Sequence, residues 1–180
     1  MPTQRSVPHP LHEVISDLAA EVMPPHCTLV KDPACRGDQC IPLFCSDKRS
    51  LATEFCNVDL LVLHSNRIRL IVEIEESNVK PTQIAGKFLT AALASHFIHD
   101  RHGVTAIPKD QRVVFFQFVD TAGLPVGSVK RDQWRNIERS IQSILPIGGI
   151  QEYQLFFGDS AEFLGVTRPE VAEAIAAACQ

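Results

Sequence analysis

A chain of 180 residues and 19.9 kDa, 45% hydrophobic, carries enough apolar material for one substantial core and argues against extended disorder. A formal charge of −4 and a pI near 5.9 exclude a protein that coats nucleic acid by positive charge alone, though local basic patches remain compatible with holding phosphates. No run reaches the ~18 consecutive apolar residues of a membrane span, and Met1-Pro2-Thr3-Gln4-Arg5 is not followed by an apolar signal-peptide segment, so a soluble cytoplasmic protein is expected.

In chain order, Leu11, Val14, Ile15, Leu18 and Val22 recur at helical spacing and predict a first helix over Pro10–Val22, ended by Pro24-Pro25. Residues 26–39, rich in Pro, Gly, Asp and Cys, read as an irregular loop, followed by a short strand over Cys40–Cys45. Two apolar runs over residues 56–75 read as a hairpin. Pro81 suits the first turn of a helix running to His99, with Ile84, Phe88, Ala91, Ala92 and Phe97 as its apolar stripe. Arg112–Val119 predicts a strand buried on both faces. A polar helix over Ser128–Leu145, a strand over Tyr153–Phe157 and an alanine-rich helix over Arg168–Cys179 complete a single domain spanning residues 1–180.

The hairpin carries the chemistry. Val58-Asp59-Leu60-Leu61-Val62-Leu63 and Leu70-Ile71-Val72-Glu73-Ile74-Glu75-Glu76 place carboxylates at the ends of apolar strands. An ionised carboxylate in such surroundings is costly unless it faces a cation or a cavity. Glu73 and Glu75, two apart on a strand, share a face about 6.5 Å apart. A three-residue loop of Ser65, Asn66 and Arg67 sets Asp59 opposite Glu73, whereas a two-residue loop pairs Asp59 with Val72 and sends its carboxylate to the other face. A shared acid site therefore requires the odd loop or a bulge. Glu76 reads as a surface residue.

These residues resemble the restriction-endonuclease-like, or PD-(D/E)xK, nuclease superfamily, in which an acid begins one strand and an acid-x-lysine triplet closes the next. Asp59 and Glu73 match the two acids, Val58 replaces the proline, and Glu75 stands at the lysine position, as glutamate does in some restriction enzymes. The resemblance covers residues 40–90, including Asn78-Val79-Lys80-Pro81 and the helix after it. It implies an α/β fold with a restriction-endonuclease-like core, a central mixed β-sheet flanked by helices. It also implies Mg²⁺- or Mn²⁺-dependent hydrolysis of a phosphodiester, with DNA as the expected partner in restriction, defence or repair. Asp59, Glu73 and the main-chain carbonyl of Ile74 would hold the metal, and Glu13 of the first helix would add an acid. Glu75 would act on the attacking water, Lys80 or Lys87 would supply the missing positive charge, and Gln83 would orient water or phosphate. The alternative is a noncatalytic module of the same fold that binds nucleic acid or a partner protein. A homodimer is compatible with cutting both strands of a duplex.

Cys27, Cys35, Cys40, Cys45 and Cys56 fall within 30 residues, in a cysteine-rich stretch of about 26–56, with Cys179 near the end. Some of these with His26 compose a candidate Zn²⁺ site, but the spacing lacks the tight two-residue knuckle, and independent buried thiols are the simpler reading. His96, His99 and His102 recur every three residues and are expected at a helix C-terminus, against its dipole. Lys48-Arg49, Arg67 with Arg69, and Lys130-Arg131 with Arg135 are basic patches, read as solvated faces.

Overall fold

Residues 9–76, 79–103 and 105–180 are described by the computed structural model, with the side chain of His102 excepted. Their elements run α1 (Pro10–Val22), β1 (Cys27–Lys31), β2 (Pro42–Phe44), β3 (Glu54–Asn57), β4 (Leu60–His64), β5 (Arg67–Glu75), α2 (Pro81–Leu93), β6 (His96–Phe97), β7 (Ile107–Asp120), α3 (Lys130–Gln142), β8 (Ile150–Gly158), α4 (Ser160–Leu164) and α5 (Arg168–Ala178). Among the described residues no helix is long and apolar enough to cross a membrane.

The strands join in one mixed sheet in the order β1-β4-β5-β7-β6-β2-β3, and β8 pairs with β7 beside the short β6. β1, β4 and β5 are successively antiparallel, while β5, β7 and β8 are parallel and linked through α2 and α3. Because helices cover both faces, the central strands read as continuous apolar runs. Leu61, Ile71, Phe115 and Tyr153 point to the face packed by Ile84 and Phe88 of α2 and Trp134 and Ile141 of α3. Leu60, Val72, Ile74, Phe116 and Phe118 point to the other, packed by Leu11, Ile15 and Leu18 of α1, Phe163 of α4 and Val171 and Ile175 of α5. The molecule is thus a mixed α/β protein with its central sheet flanked by helices.

The hairpin register resolves the alternative left open by its loop. His64 pairs with Arg67 across a two-residue turn whose Ser65 and Asn66 both have positive φ, 49° and 58°. That is the backbone of a type I′ turn, favoured because its twist matches the strands. Alone it would send Asp59 to the wrong face. A bulge between Val62/Leu70 and Leu63/Ile68 leaves Arg69 as an extra residue in β5 and restores the parity, so Leu60 pairs with Val72 and the next step sets Asp59 across from Glu73. Arg69 is pinned there by Nε donating to the Ala178 carbonyl at 3.0 Å and by Nη1 at 3.1 Å from Asp110.

Three expectations are corrected. The segment over residues 26–39 contains β1, whose Cys27–Lys31 pairs with His64–Leu60 of β4, because an exposed edge of β4 offers hydrogen bonds that outweigh the loop-like composition. The helix expected to reach His99 stops at Leu93, with Ala94 extended. There Lys109 Nζ donates to the carbonyls of Ala91 and Ala92 at 2.9 and 3.0 Å, and His96-Phe97 joins β2 and β7. The histidines therefore do not line a helix end: His96 lies in β6, His99 precedes a 3₁₀ turn over Asp100–His102, and the side chain of His102 lies outside the described residues. Beyond β8, α4 opens through a capping box in which Asp159 and Glu162 satisfy each other's amides.

Phe88 holds α2 to the sheet through edge contacts with Phe115 at 5.6 Å and Tyr153 at 5.3 Å. Phe88→Ala is expected to destabilise the protein by about 3–5 kcal/mol in urea unfolding. Leu89→Ala, at a position 45% exposed on the same helix, should change stability by less than about 0.5 kcal/mol.

Candidate active site

The site lies where β4 begins and β5 ends, beneath α2. Asp59 precedes β4, and its Oδ2 accepts a hydrogen bond from the Ile74 amide at 2.6 Å while its own amide donates to the Val72 carbonyl at 3.2 Å. Peptide groups two apart on a strand face the same edge, so the Ile74 carbonyl also points toward Asp59. Glu73, completely buried, receives Lys87 Nζ on Oε2 at 2.7 Å, and the same ammonium stands 3.0 Å from Glu75 Oε1. Lys87 reaches them from α2 because Ile84, Phe88 and Ala91 bury the adjoining stripe of that helix and aim position 87 at the strand ends.

Burial and the neighbouring Asp59 carboxylate push the Glu73 carboxyl well above its ordinary value, against the opposing pull of Lys87. Asp59 itself is also penalised by burial, but His12, Lys87 and the Ile74 amide together hold its carboxyl below the ordinary value. Lys87 is likewise disfavoured by burial, yet the charges of Glu73 and Asp59 raise its ammonium above the usual lysine range. Three carboxylates thus face one ammonium, and Glu73 Oε1 is buried without a hydrogen-bond partner. Clustered oxygen donors and an orphaned buried oxygen suit a hard divalent cation. Asp59, Glu73 and the Ile74 carbonyl are the groups that could hold one.

Asp59, Glu73 and Glu75 gather around the Lys87 ammonium, but their ligand atoms do not all lie within 4.8 Å of one another. Among the described residues, the trio of His, Cys, Asp and Glu side chains whose ligand atoms all lie within 4.8 Å of one another is His9, His12 and Glu76. Glu75 Oε1 shares the Lys87 ammonium with Glu73 Oε2.

Glu13 does not reach the acids; it pairs with Arg36 on the surface, because helix periodicity turns position 13 away from position 12. Lys80 and Gln83 are exposed at the start of α2, where Gln83 Oε1 accepts the Lys80 amide at 2.8 Å. No hydrogen bond or ion pair joins either of them to the acids among the described residues. The preceding Ser77 and Asn78 lie outside those residues. The cysteines disperse: Cys27 sits on β1 near Cys179, Cys35 is buried under α1, Cys40 is exposed, and Cys45 and Cys56 flank the β2–β3 hairpin. All are free, and burial raises the Cys35 thiol and pushes the Cys56 thiol up to about 12. A zinc site of Cys27, Cys35, Cys40, Cys45 and Cys56 is therefore not assembled among the described residues. The basic patches are largely engaged as well: Arg49 pairs with Asp100, Arg69 with Asp110, and Arg131 and Arg135 lie over the Phe157 ring.

Three site residues escaped the sequence reading. His12 Nε2 lies 3.7 Å from Asp59 Oδ1 and its Nδ1 3.2 Å from Glu76 Oε1. Burial lowers its pKa, but the nearby carboxylates of Asp59 and Glu76 outweigh that and raise it. Glu76 is no surface residue: its Oε1 accepts the Leu11 and His12 amides at 2.6 and 3.1 Å, capping α1 in place of His9, whose side chain makes no cap. Gln117 pairs with Glu73 across β5 and β7, accepts Tyr153 OH at 3.0 Å, and leaves its Nε2 buried and unpartnered. A lone glutamine inside Val113–Val119 was the available signal for it; the contacts of His12 and Glu76 cross more than 45 residues of chain and leave none.

No family model matches this chain, and no curated protein matches it.

The raised carboxyl of Glu73 gives a test. Above the ordinary value of 4.5 the unfolded chain releases the proton that native Glu73 retains, so this residue makes stability fall as pH rises from there through the native value. Glu73→Gln removes that slope. In metal-free urea unfolding, the stability of the variant relative to wild type should grow by about 1.4 kcal/mol for every pH step of one across that interval. Parallel pH profiles would refute the assignment.

Proposed function

We propose that this protein is a metal-dependent phosphodiester hydrolase of the restriction-endonuclease-like class, acting on DNA. The observation that carries this reading is the proximity of Asp59, one step beyond the Leu60–Val72 pair, to Glu73, with the Lys87 ammonium between Glu73 and Glu75. The lysine that the PD-(D/E)xK pattern places on the strand is replaced by Glu75, and an equivalent positive charge enters from α2. Side-chain reach permits that exchange, since an ammonium on a four-carbon stem delivers the same point charge from either element.

When bound, Mg²⁺ or Mn²⁺ would polarise the phosphoryl oxygen and lower the pKa of a coordinated water. Asp59 and Glu73 would hold it, and the Ile74 amide and His12 keep the Asp59 carboxylate oriented. Glu75 accepts a proton from the attacking water. Lys87 places positive charge against the negative charge that develops on the phosphoryl group, and its partial exposure, 37%, leaves it within reach of a polynucleotide.

The test is cleavage of plasmid, single-stranded DNA and RNA with Mg²⁺ or Mn²⁺. Asp59→Ala and Glu73→Ala should abolish metal-stimulated cutting, and Lys87→Ala should lower kcat by about 10²–10³-fold. Binding to the same substrates without cutting by the wild type would replace this reading with that of a noncatalytic module.

A further inference from the structure

A second group of ligating side chains sits beside the acids and is not used by the hydrolytic reading. His9 and His12, three residues apart at the start of α1, both turn Nδ1 toward the Glu76 carboxylate: His9 at 3.3 Å from Oε2 and His12 at 3.2 Å from Oε1. We propose that His9, His12 and Glu76 bind one divalent transition-metal ion of the zinc class, at a site separate from the Asp59–Glu73 pair.

Four observations carry the assignment. The spacing is close: each Nδ1 stands 3.2–3.3 Å from a Glu76 oxygen and one ligand atom of each residue lies within 4.8 Å of the others, against about 3.3 Å between ligand atoms on a tetrahedral ion with bonds of about 2.0–2.1 Å. Next, His12 is 7% exposed, and its buried Nδ1 lies 3.2 Å from Glu76 Oε1 without making an aligned hydrogen bond, a contact that an ion between the two atoms would satisfy. The opposite ring nitrogen, Nε2, faces Asp59 Oδ1 at 3.7 Å. A histidine ligand characteristically presents its second nitrogen to a carboxylate, which fixes the ring and strengthens it as a donor. Finally, the role of Glu76 as a helix cap does not account for the cluster. The backbone amides of Leu11 and His12 occupy Oε1, while Oε2 contacts only the His9 ring among the described residues.

Ligand type separates the two sites. Two imidazoles and one carboxylate select zinc-class ions, whereas the oxygen set of Asp59, Glu73 and the Ile74 carbonyl suits Mg²⁺. Three protein ligands leave a fourth position for water or another ligand. The proposal stands independently of the hydrolase reading, because it concerns binding by residues that reading does not require as ligands.

The experiment is titration of the metal-stripped full chain with Zn²⁺ by calorimetry and with Co²⁺ by visible absorption. One equivalent should bind, with Co²⁺ ligand-field bands and no thiolate charge-transfer band. His9→Ala and Glu76→Gln should each weaken Zn²⁺ by more than the roughly 10–100-fold that loss of an outer-shell partner costs. Glu73→Gln should bind Zn²⁺ as wild type does. His9 is at the half-exposed start of α1, and Glu76→Gln keeps a side-chain oxygen for the helix amides, so thermal unfolding in chelator should report folded variants. Absence of stoichiometric binding, a thiolate band, or unchanged affinity in both variants would overturn the proposal.

Discussion

One unpaired residue governs this site. The tight turn at Ser65-Asn66 dictates a register that would bury Asp59 on the wrong side of the sheet, and the bulge at Arg69 reverses it. A strand has a period of two, so a single added residue changes the face of everything beyond it. Asp59 and Glu73 meet only because Arg69 is extra, and Arg69 stays extra because its guanidinium is tied to Ala178, Asp110 and Arg112. The C-terminal helix and the start of β7 thereby help to hold the carboxylates in register, although neither touches them.

The charges that result are arranged against the preference of an apolar interior. Glu73 is sealed under α2 beside another carboxylate, and one ammonium serves two acids. Proteins tolerate such a deficit of positive charge where a cation or substrate completes it, and stability is commonly sacrificed at such places for function. Gln117, the one polar side chain in the middle of β7, borders the same pocket of unsatisfied groups with its own free amide hydrogens. Tyr153 hydrogen-bonds Gln117, which neighbours Glu73 across the β5–β7 register.

Asp59 connects this interior to α1. His12 reads the Asp59 carboxylate with one ring nitrogen and Glu76 with the other, and Glu76 in turn holds the amides that open the helix. Helix capping, carboxylate orientation and the arrangement of two histidines are thus one construction. Displacing Glu76 would loosen the start of α1, and with it the ring that steadies Asp59.

Local pattern determined much of this molecule. The periodicity of Leu11, Ile15 and Leu18 placed α1 over Pro10–Val22, Pro81 marked the start of α2, and the apolar runs marked β4, β5 and β7, because burial of one stripe or of both strand faces is written in nearest-neighbour spacing. The pairing of Asp59 with Glu73 was legible as a condition, odd loop or bulge, but not as a fact. Tertiary structure alone decided the rest. The edge pairing of Cys27–Lys31, the halt of α2 at Leu93, the choice of Lys87 over Lys80 and the turning of Glu13 to Arg36 while His12 reached Asp59 all depend on groups distant in sequence. Hydrogen bonds and ion pairs between remote segments form only after the chain has closed on itself, and no local spacing encodes which partner will be waiting.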